Sequence, residues 1–301
     1  MRGRFAPSPT GRMHLGNVYS ALLSWLSARS QGGEWVLRIE DIDPQRSKAE
    51  YAELIKDDLR WLGLDWDELY VQSERYDIYE QHLKRLTDMG ITYPCYCTRA
   101  DIMATQAPHE SDGRIVYKGT CRPSNKLPHS GGIEGGRKPS TRIIVANEDI
   151  TFCDVHYGEH TVNLAHHCGD FILRRADGAW AYQLAVVVDD ALMGITEVVR
   201  GSDLLLSAPQ QIYLHRTLGY EPPVYCHLPL LCNEAGQRLS KRDKSLDMES
   251  LRKSYTAPQL IGILAHVAGI LPEPTPITAR SLIPLFSWDK VPVDNIIARV
   301  R

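Results

Sequence analysis

The run Arg4-Phe5-Ala6-Pro7-Ser8-Pro9-Thr10-Gly11-Arg12-Met13-His14-Leu15-Gly16-Asn17 leaves the chain few choices. Arg2 to Ala6 reads as a short strand. Pro7, Pro9 and Gly11 then forbid regular structure and force a tight loop. Leu15, Val18, Leu22 and Leu26 recur at helical spacing, so a helix packs one face inward from about residue 14. Strand, Pro/Gly loop and helix start form a cradle for anions, because free N–H groups and the positive helix end attract phosphate oxygens. His14 stands at that end, where its ring can donate a hydrogen bond to such an oxygen.

A second short run, Arg238-Leu239-Ser240-Lys241-Arg242, lies far downstream. It puts Lys241 in a small polar loop ahead of a helix predicted around Asp247 to Ser254. A mobile lysine can neutralise the charge that builds on phosphate oxygens as pyrophosphate departs.

The 301 residues suffice for a sizeable core and about two domains. No apolar stretch approaches the roughly 20 residues that cross a bilayer. Met1-Arg2-Gly3-Arg4 leads into a strand rather than an apolar signal segment, so the cytoplasm is the expected compartment. Seven cysteines, an odd number, argue against a disulfide framework and for reduced thiols or a metal site. A net charge of −3 does not advertise nucleic-acid binding, so an RNA surface must be a local patch. Arg99, Lys118, Arg122, Lys126, Arg137 and Lys138 are candidates for it.

Glu34 to Asp41 alternates as a strand, with Trp35, Leu37 and Ile39 on one side and Arg38 and Glu40 on the other. Ser47 opens a helix that buries Tyr51, Leu54, Ile55, Leu59 and Leu62 and stops near Gly63. A further helix carries Tyr79, Leu83 and Leu86. Strands alternating with helices predict a parallel sheet in a Rossmann-like α/β core. The alternation breaks at Cys95. From there to about Gly178 come cysteines, a Gly-rich stretch and short strands, which read as an inserted subdomain. Leu184 to Val188 reads as a strand covered on both faces, and Val198 to Gly201 as another. Ser207 with Gln210 makes a capping-box pattern for a helix ending at Gly219. A later helix carries Leu260, Ile263, Leu264 and Val267.

The two runs resemble the HIGH and KMSKS elements of class I aminoacyl-tRNA synthetases. The wider pattern is similar to the glutamyl-tRNA synthetase group, with coverage from residue 4 to about 270. Leu37-Arg38-Ile39-Glu40-Asp41-Ile42-Asp43 with Arg46-Ser47 matches a second block of that group. Tyr182, Val186 to Asp190, Met193-Gly194-Ile195-Thr196 and Val199-Arg200-Gly201 match a third. The resemblance implies a glutamate pocket from Arg4, Ala6, Ser8, Glu40, Tyr182 and Arg200. Arg4 and Arg200 suit carboxylates, and Glu40 suits the ammonium. It implies ATP binding by His14, Gly16, Asn17 and Lys241, with His14, Asn17 and Lys241 serving the chemistry and Mg²⁺ entering with ATP. The glutamate α-carboxylate would attack the α-phosphate in line. Catalysis of this kind rests on positioning and electrostatics, so no protein nucleophile is expected.

About sixty residues follow Arg242, too few for the helical anticodon-binding region of full-length members. That length matches the truncated branch of the group, which passes glutamate to queuosine in the anticodon of tRNA(Asp). Cys95, Cys97 and Cys121 resemble that branch's zinc site, and thiolates suit Zn²⁺. Tyr117 is the fourth ligand by resemblance; His109, Cys153 and His156 are alternatives. Cys168, Cys226 and Cys232 read as core thiols. The expected organisation is a core in two halves, 1–94 and 179–250. An inserted zinc-bearing, acceptor-binding subdomain spans 95–178, and a short helical tail spans 251–301. The expected partners are ATP, L-glutamate and queuosine-bearing tRNA(Asp), with no membrane, and the chain is expected to act as a monomer. Three rival readings are a compact synthetase charging a tRNA 3′ end, a non-catalytic RNA-binding paralogue and a ligase with a small-molecule acceptor.

Overall fold

The computed structural model describes residues 1–104, 116–123, 138–239 and 246–298. In chain order the elements begin β1 (Arg2–Phe5), α1 (Leu15–Ser30), β2 (Glu34–Ile39), α2 (Ala49–Leu62), β3 (Glu68–Val71), α3 (Tyr76–Asp88), β4 (Thr92–Cys95) and α4 (Arg99–Ala104). Then follow β5 (Ser140–Ile143), β6 (Asp149–Asp154), β7 (Gly158–Asn163), α5 (Leu164–His167), β8 (Ile172–Arg174), α6 (Tyr182–Leu192) and β9 (Glu197–Gly201). The last are α7 (Ala208–Thr217), β10 (Val224–Leu228), β11 (Leu231–Cys232), α8 (Met248–Ser254), α9 (Ala257–Val267), α10 (Ala279–Leu282) and β12 (Ile296–Ile297).

β1, β2 and β3 pair in parallel, with Phe5 opposite Leu37 and Leu37 opposite Leu69. β9 and β10 are parallel as well, with Val199 opposite Cys226. The two groups meet along β1 and β9, where the Thr196 N–H donates to the Arg2 carbonyl at 2.9 Å. This is the parallel α/β core that the alternation of strands and helices predicts.

α1 departs from its expected one-sided burial. Every residue from Ala21 to Ala28 is buried. The sheet covers one side through β1, β2 and β9, and α10 with the turn after it covers the other. A helix enclosed on both sides has no solvent face to display. Its polar groups are satisfied internally. Ser24 Oγ donates to the Arg4 carbonyl at 3.0 Å and accepts from Trp35 Nε1 at 2.8 Å, while Ser27 Oγ donates to Glu197 at 2.6 Å.

Leu184 to Val188 is not a strand but part of α6. A short buried apolar run is compatible with either structure, because the alternation that separates them vanishes when all sides are covered. In the helix, Asp189 and Asp190 turn inward with the valines. Asp189 is fully buried and accepts from Gln72 Nε2 at 2.8 Å, Arg75 Nε at 2.7 Å and Tyr79 OH at 2.8 Å. The capping box at Ser207 is also not formed. A 3₁₀ helix over Ser202–Ser207 runs directly into α7, so Ser207 is itself helical and its hydroxyl cannot reach back over the next turn. Gln210 instead accepts from Gln183.

β4, β5 and β8 form a separate antiparallel sheet, in which Tyr93 faces Arg142. β6 and β7 form a hairpin, and β6 adds in parallel to β10, with Asp154 opposite Tyr225. The tail is helical only in part. β12 pairs in parallel with β11, and the tail backbone also receives the β6–β7 turn: Tyr157 OH donates to the Val293 carbonyl at 2.8 Å. Among the described residues no helix is long and apolar enough to cross a membrane.

Replacing Asp189 by Ala leaves the half-buried Arg75, a phenol and an amide without their acceptor. We expect a loss of roughly 3 kcal/mol in unfolding free energy, since breaking a buried charge pair on one side is costly. Urea denaturation measures it; a change indistinguishable from zero would show that these donors find other partners.

Candidate active site

The carboxyl ends of β1, β2 and β9 and the starts of α1 and α6 open onto one cleft. In an open α/β sheet this is where ligands bind. Eight residues singled out from the sequence line it: Arg4, Ala6, His14, Gly16, Asn17, Glu40, Tyr182 and Arg200. Ser8 is exposed on the loop after β1 and is not among the lining residues. Lys241 and Arg242 lie outside the described residues. The described residues on either side of them nevertheless reach the cleft region. Arg238 and Leu239 line it, and beyond the loop the Met248 N–H donates to the Met13 carbonyl at 2.9 Å. The two signature runs are thus brought together.

His14 is the N-cap of α1. Its Nδ1 accepts from the Gly16 N–H at 3.1 Å, and its own N–H donates to Asn17 Oδ1 at 3.1 Å. A ring whose Nδ1 accepts carries its proton on Nε2 when neutral, which makes Nε2–H a donor. Gly16 protects this geometry: a Cβ there would come within 3.0 Å of His14 Cε1.

Beneath the cleft lies a network of buried charge. Arg4, Arg38, Glu40, Asp189 and Asp190 are all at most 6% exposed. Arg38 Nη1 donates to Asp190 Oδ1 at 2.7 Å and Nη2 to Glu40 Oε1 at 3.1 Å. Arg4 Nε lies 3.5 Å from Asp190 Oδ1 and makes no hydrogen bond, and its Nη1 reaches the Val199 carbonyl only at 3.4 Å. Arg4 therefore keeps donors in reserve for an anion. Burial pushes the Asp190 carboxyl up, but Arg38 and Arg4 outweigh it and hold the carboxyl below its ordinary value. At Glu40 burial wins over the same two arginines, and the carboxyl is raised. A cation delivered into the cleft offsets that cost, so Glu40 is suited to an ammonium.

Arg200 is held on every side. Nε donates to His227 Nε2 at 3.0 Å, Nη1 to Gln211 Oε1 at 2.7 Å and to Tyr182 OH at 3.5 Å, and Nη2 to the Leu204 carbonyl at 3.2 Å. Its guanidinium also stacks over the Tyr225 ring at 5.1 Å. Four bonds leave one of its five N–H groups uncommitted.

Away from the cleft, the Cys95, Cys97 and Cys121 sulfurs lie within 4.8 Å of one another, and no disulfide joins them. Cys97 and Cys121 are 3.5 Å apart; the Tyr117 hydroxyl is 3.4 Å from Cys95 and 3.9 Å from Cys97. Tetrahedral coordination with metal–sulfur distances of about 2.3 Å places sulfurs about 3.8 Å apart, so this cluster can hold a metal ion. Burial and the neighbouring Cys121 and Cys95 sulfurs push the Cys97 thiol up to about 12. Tyr117 is fixed in turn by Gly169, whose φ of +64° lets its backbone pass where a Cβ would sit 1.9 Å from the Tyr117 carbonyl oxygen. Cys153 and His156 lie instead in the β6–β7 hairpin, and His156 Nε2 bonds the Pro292 carbonyl. His109 is outside the described residues.

A family profile for class I tRNA synthetases (E and Q), catalytic domain, matches residues 1–264. The glutamyl-Q tRNA(Asp) synthetase of Nitratidesulfovibrio vulgaris is 44% identical over 308 residues, spanning 99% of this chain and 95% of that protein. That of Symbiobacterium thermophilum is 46% identical over 307 residues, spanning 98% and 94%. The chain belongs to the glutamyl-Q tRNA(Asp) synthetase family. Its fold matches a crystal structure of a glutamate tRNA ligase from Elizabethkingia meningosepticum in complex with its amino acid. That match has a TM-score of 0.82 and 28% identity, covering 99% of this chain and 67% of that one.

Of the expected basic patch, Lys118 and Lys138 are exposed. Arg122 is committed elsewhere: its Nε and Nη2 both bond the buried Asp170 carboxylate. Lys126 and Arg137 lie outside the described residues. Sequence reading missed the roles of Asp190, Gln211, His227 and Asp154. Asp189-Asp190 at the end of an apolar run was a usable signal, since buried acids need partners. His227, in the apolar string Tyr225 to Leu228, reads as an ordinary core residue.

Proposed function

We propose that this chain activates L-glutamate with ATP, without needing tRNA, and transfers the glutamyl group to queuosine in the anticodon of tRNA(Asp). The observation that carries this reading is near end-to-end similarity to relatives of that name, in a chain whose cleft gathers Arg4, Glu40 and Arg200 beside His14 and the start of α1. Arg4 and Arg200 take the two carboxylates of glutamate, Glu40 pairs with its ammonium, and Tyr182, Ala6 and Ser8 complete the pocket. His14 Nε2–H and the start of α1 at Gly16 and Asn17 hold ATP phosphates, with Mg²⁺ entering as part of the nucleotide. The glutamate α-carboxylate displaces pyrophosphate from the α-phosphorus. Lys241, on a loop whose two flanks reach the cleft region, neutralises the charge on the departing oxygens. A queuosine hydroxyl then attacks the activated carbonyl and AMP leaves.

In this reading residues 1–94 and 179–250 are the catalytic core, 95–178 is the acceptor-binding insertion and 251–301 is a tail, working as a cytoplasmic monomer. Cys95, Cys97, Cys121 and Tyr117 hold one structural Zn²⁺, which stitches separate chain segments together.

ATP–pyrophosphate exchange should proceed with glutamate alone and be weak with glutamine, which lacks the second charge. Arg200→Ala should raise the KM for glutamate about tenfold or more, as loss of a charged hydrogen bond does. Lys241→Ala should slow the chemical step roughly a hundredfold. Exchange that strictly requires tRNA contradicts the proposal.

Purified protein should carry about one zinc per chain, with Cys121→Ser losing both the metal and the order of its surroundings. Inductively coupled plasma analysis of protein prepared without chelators decides this, and a metal-free result ends the zinc reading. Full zinc retention in Tyr117→Phe assigns the fourth ligand elsewhere.

Labelled glutamate should appear on queuosine-containing tRNA(Asp) and stay off tRNA from cells lacking queuosine. The label should stay with an internal anticodon-loop fragment after ribonuclease digestion at mildly acidic pH, which spares the ester. Label on the 3′ end of tRNA(Glu) would establish a compact 3′-charging synthetase instead.

A further inference from the structure

Arg200 does not stand alone behind the cleft. Arginine has no acceptor atom, so the 3.0 Å contact from its Nε requires a lone pair on His227 Nε2. The ring proton must then sit on Nδ1, which donates to Asp154 Oδ2 at 2.6 Å. The same carboxylate accepts the His227 backbone N–H at 3.1 Å and, through Oδ1, the backbone N–H groups of His156 at 3.0 Å and Tyr157 at 2.9 Å. All three side chains are buried: Asp154 is 1% exposed, His227 0% and Arg200 5%. Burial also lowers the basicity of His227, in keeping with a neutral ring. Asp154 thus selects the tautomer that Arg200 needs, and it does so from the end of β6, at the root of the β6–β7 turn.

We propose that Asp154 and His227 are positioning residues for glutamate recognition. Asp154 holds His227 in its Nδ1–H form, and His227 aims the Arg200 guanidinium at a glutamate carboxylate. The inference rests on the reading that Arg200 binds glutamate. It follows that glutamate recognition depends on a carboxylate from the hairpin that leads into α5, and not only on residues that line the cleft. Changing Asp154 to Asn would present an amide N–H to His227 Nδ1. The ring would then move its proton to Nε2, and two donors would face each other at Arg200.

The test is ATP–pyrophosphate exchange with the full chain, scored separately for glutamate and ATP, in Asp154→Asn, His227→Leu, His227→Gln, the Asp154→Asn/His227→Leu double variant and Arg200→Ala. We expect Asp154→Asn and His227→Leu each to raise the glutamate KM about tenfold, with the ATP KM unchanged, as loss of one charge-assisted hydrogen bond would do. Glutamine Oε1 can stand where His227 Nε2 stands, so His227→Gln should recover glutamate KM to within about threefold of the parent. The double variant should be no worse than His227→Leu, because both changes break one chain of contacts. A parental glutamate KM in folded Asp154→Asn overturns the proposal, and so does a parallel rise in glutamate and ATP KM with a lowered Tm. If Asp154→Asn does not fold, the histidine variants decide: equal glutamate KM in His227→Leu and His227→Gln overturns it. If Arg200→Ala itself leaves glutamate KM unchanged, the site reading falls and takes the relay with it. A raised KM there with a silent Asp154→Asn defeats the relay alone.

Discussion

The ion pair between Arg38 on β2 and Asp190 on α6 is the contact on which the site depends. It joins the strand that leads into Glu40 to the helix that begins at Tyr182. Around it sit Arg4, Glu40, Asp189 and Arg75, so that three positive and three negative side chains share one interior. Such a cluster is a poor source of net stability, because desolvation consumes most of the attraction. What it supplies is direction. Arg38 is fully buried and its positive charge is strongly favoured by Asp190, Glu40 and Asp189 against the cost of burial. With Arg38 saturated by acids, Arg4 is left with donors to offer a ligand, and Glu40 is left with an unmet need for positive charge.

The side of the cleft at the start of α1 is built by a different device. The Pro/Gly loop delivers the chain to the start of α1, and His14 caps that helix with its own ring. Engaging Nδ1 in the cap puts the proton of the neutral ring on Nε2. Arg12 and Arg252 both reach the buried Asp58 on α2, at 3.2 Å and 2.9 Å. They fasten the segment before α1 and helix α8 to the same carboxylate. The two signature runs, remote in sequence, share an anchor as well as a cleft.

Much of this was legible in the residues. The strand–loop–helix start, the parallel core, the helices at Tyr79 and Leu260, and the clustering of Cys95, Cys97 and Cys121 follow from spacing and residue type. The errors have a common cause. From residues alone α6 reads as a strand, α1 as one-sided and Ser207 as a cap, and each outcome depends on what covers or precedes the segment. Periodicity reports an environment with two different sides, so where all sides are protein it carries no signal. The partners of Arg200 were hidden for a related reason, since His227 and Asp154 are 73 positions apart and each looks ordinary among its neighbours.

The sequence by itself determined the chemistry on offer: an anion cradle with a histidine at its mouth, arginines that can meet carboxylates, a glutamate that can meet an ammonium, and thiols that suit a metal. These are local properties, set by backbone restrictions and by what each side chain can donate or accept. The tertiary structure alone decided which groups are spent and which remain available. Arg38 and Arg122 are consumed by buried acids, whereas Arg4 and Arg200 line the cleft. The reason is physical: a buried charge must find a partner, and partners are chosen by distance in space, which is fixed only when β1, β2, β9 and α6 have packed together.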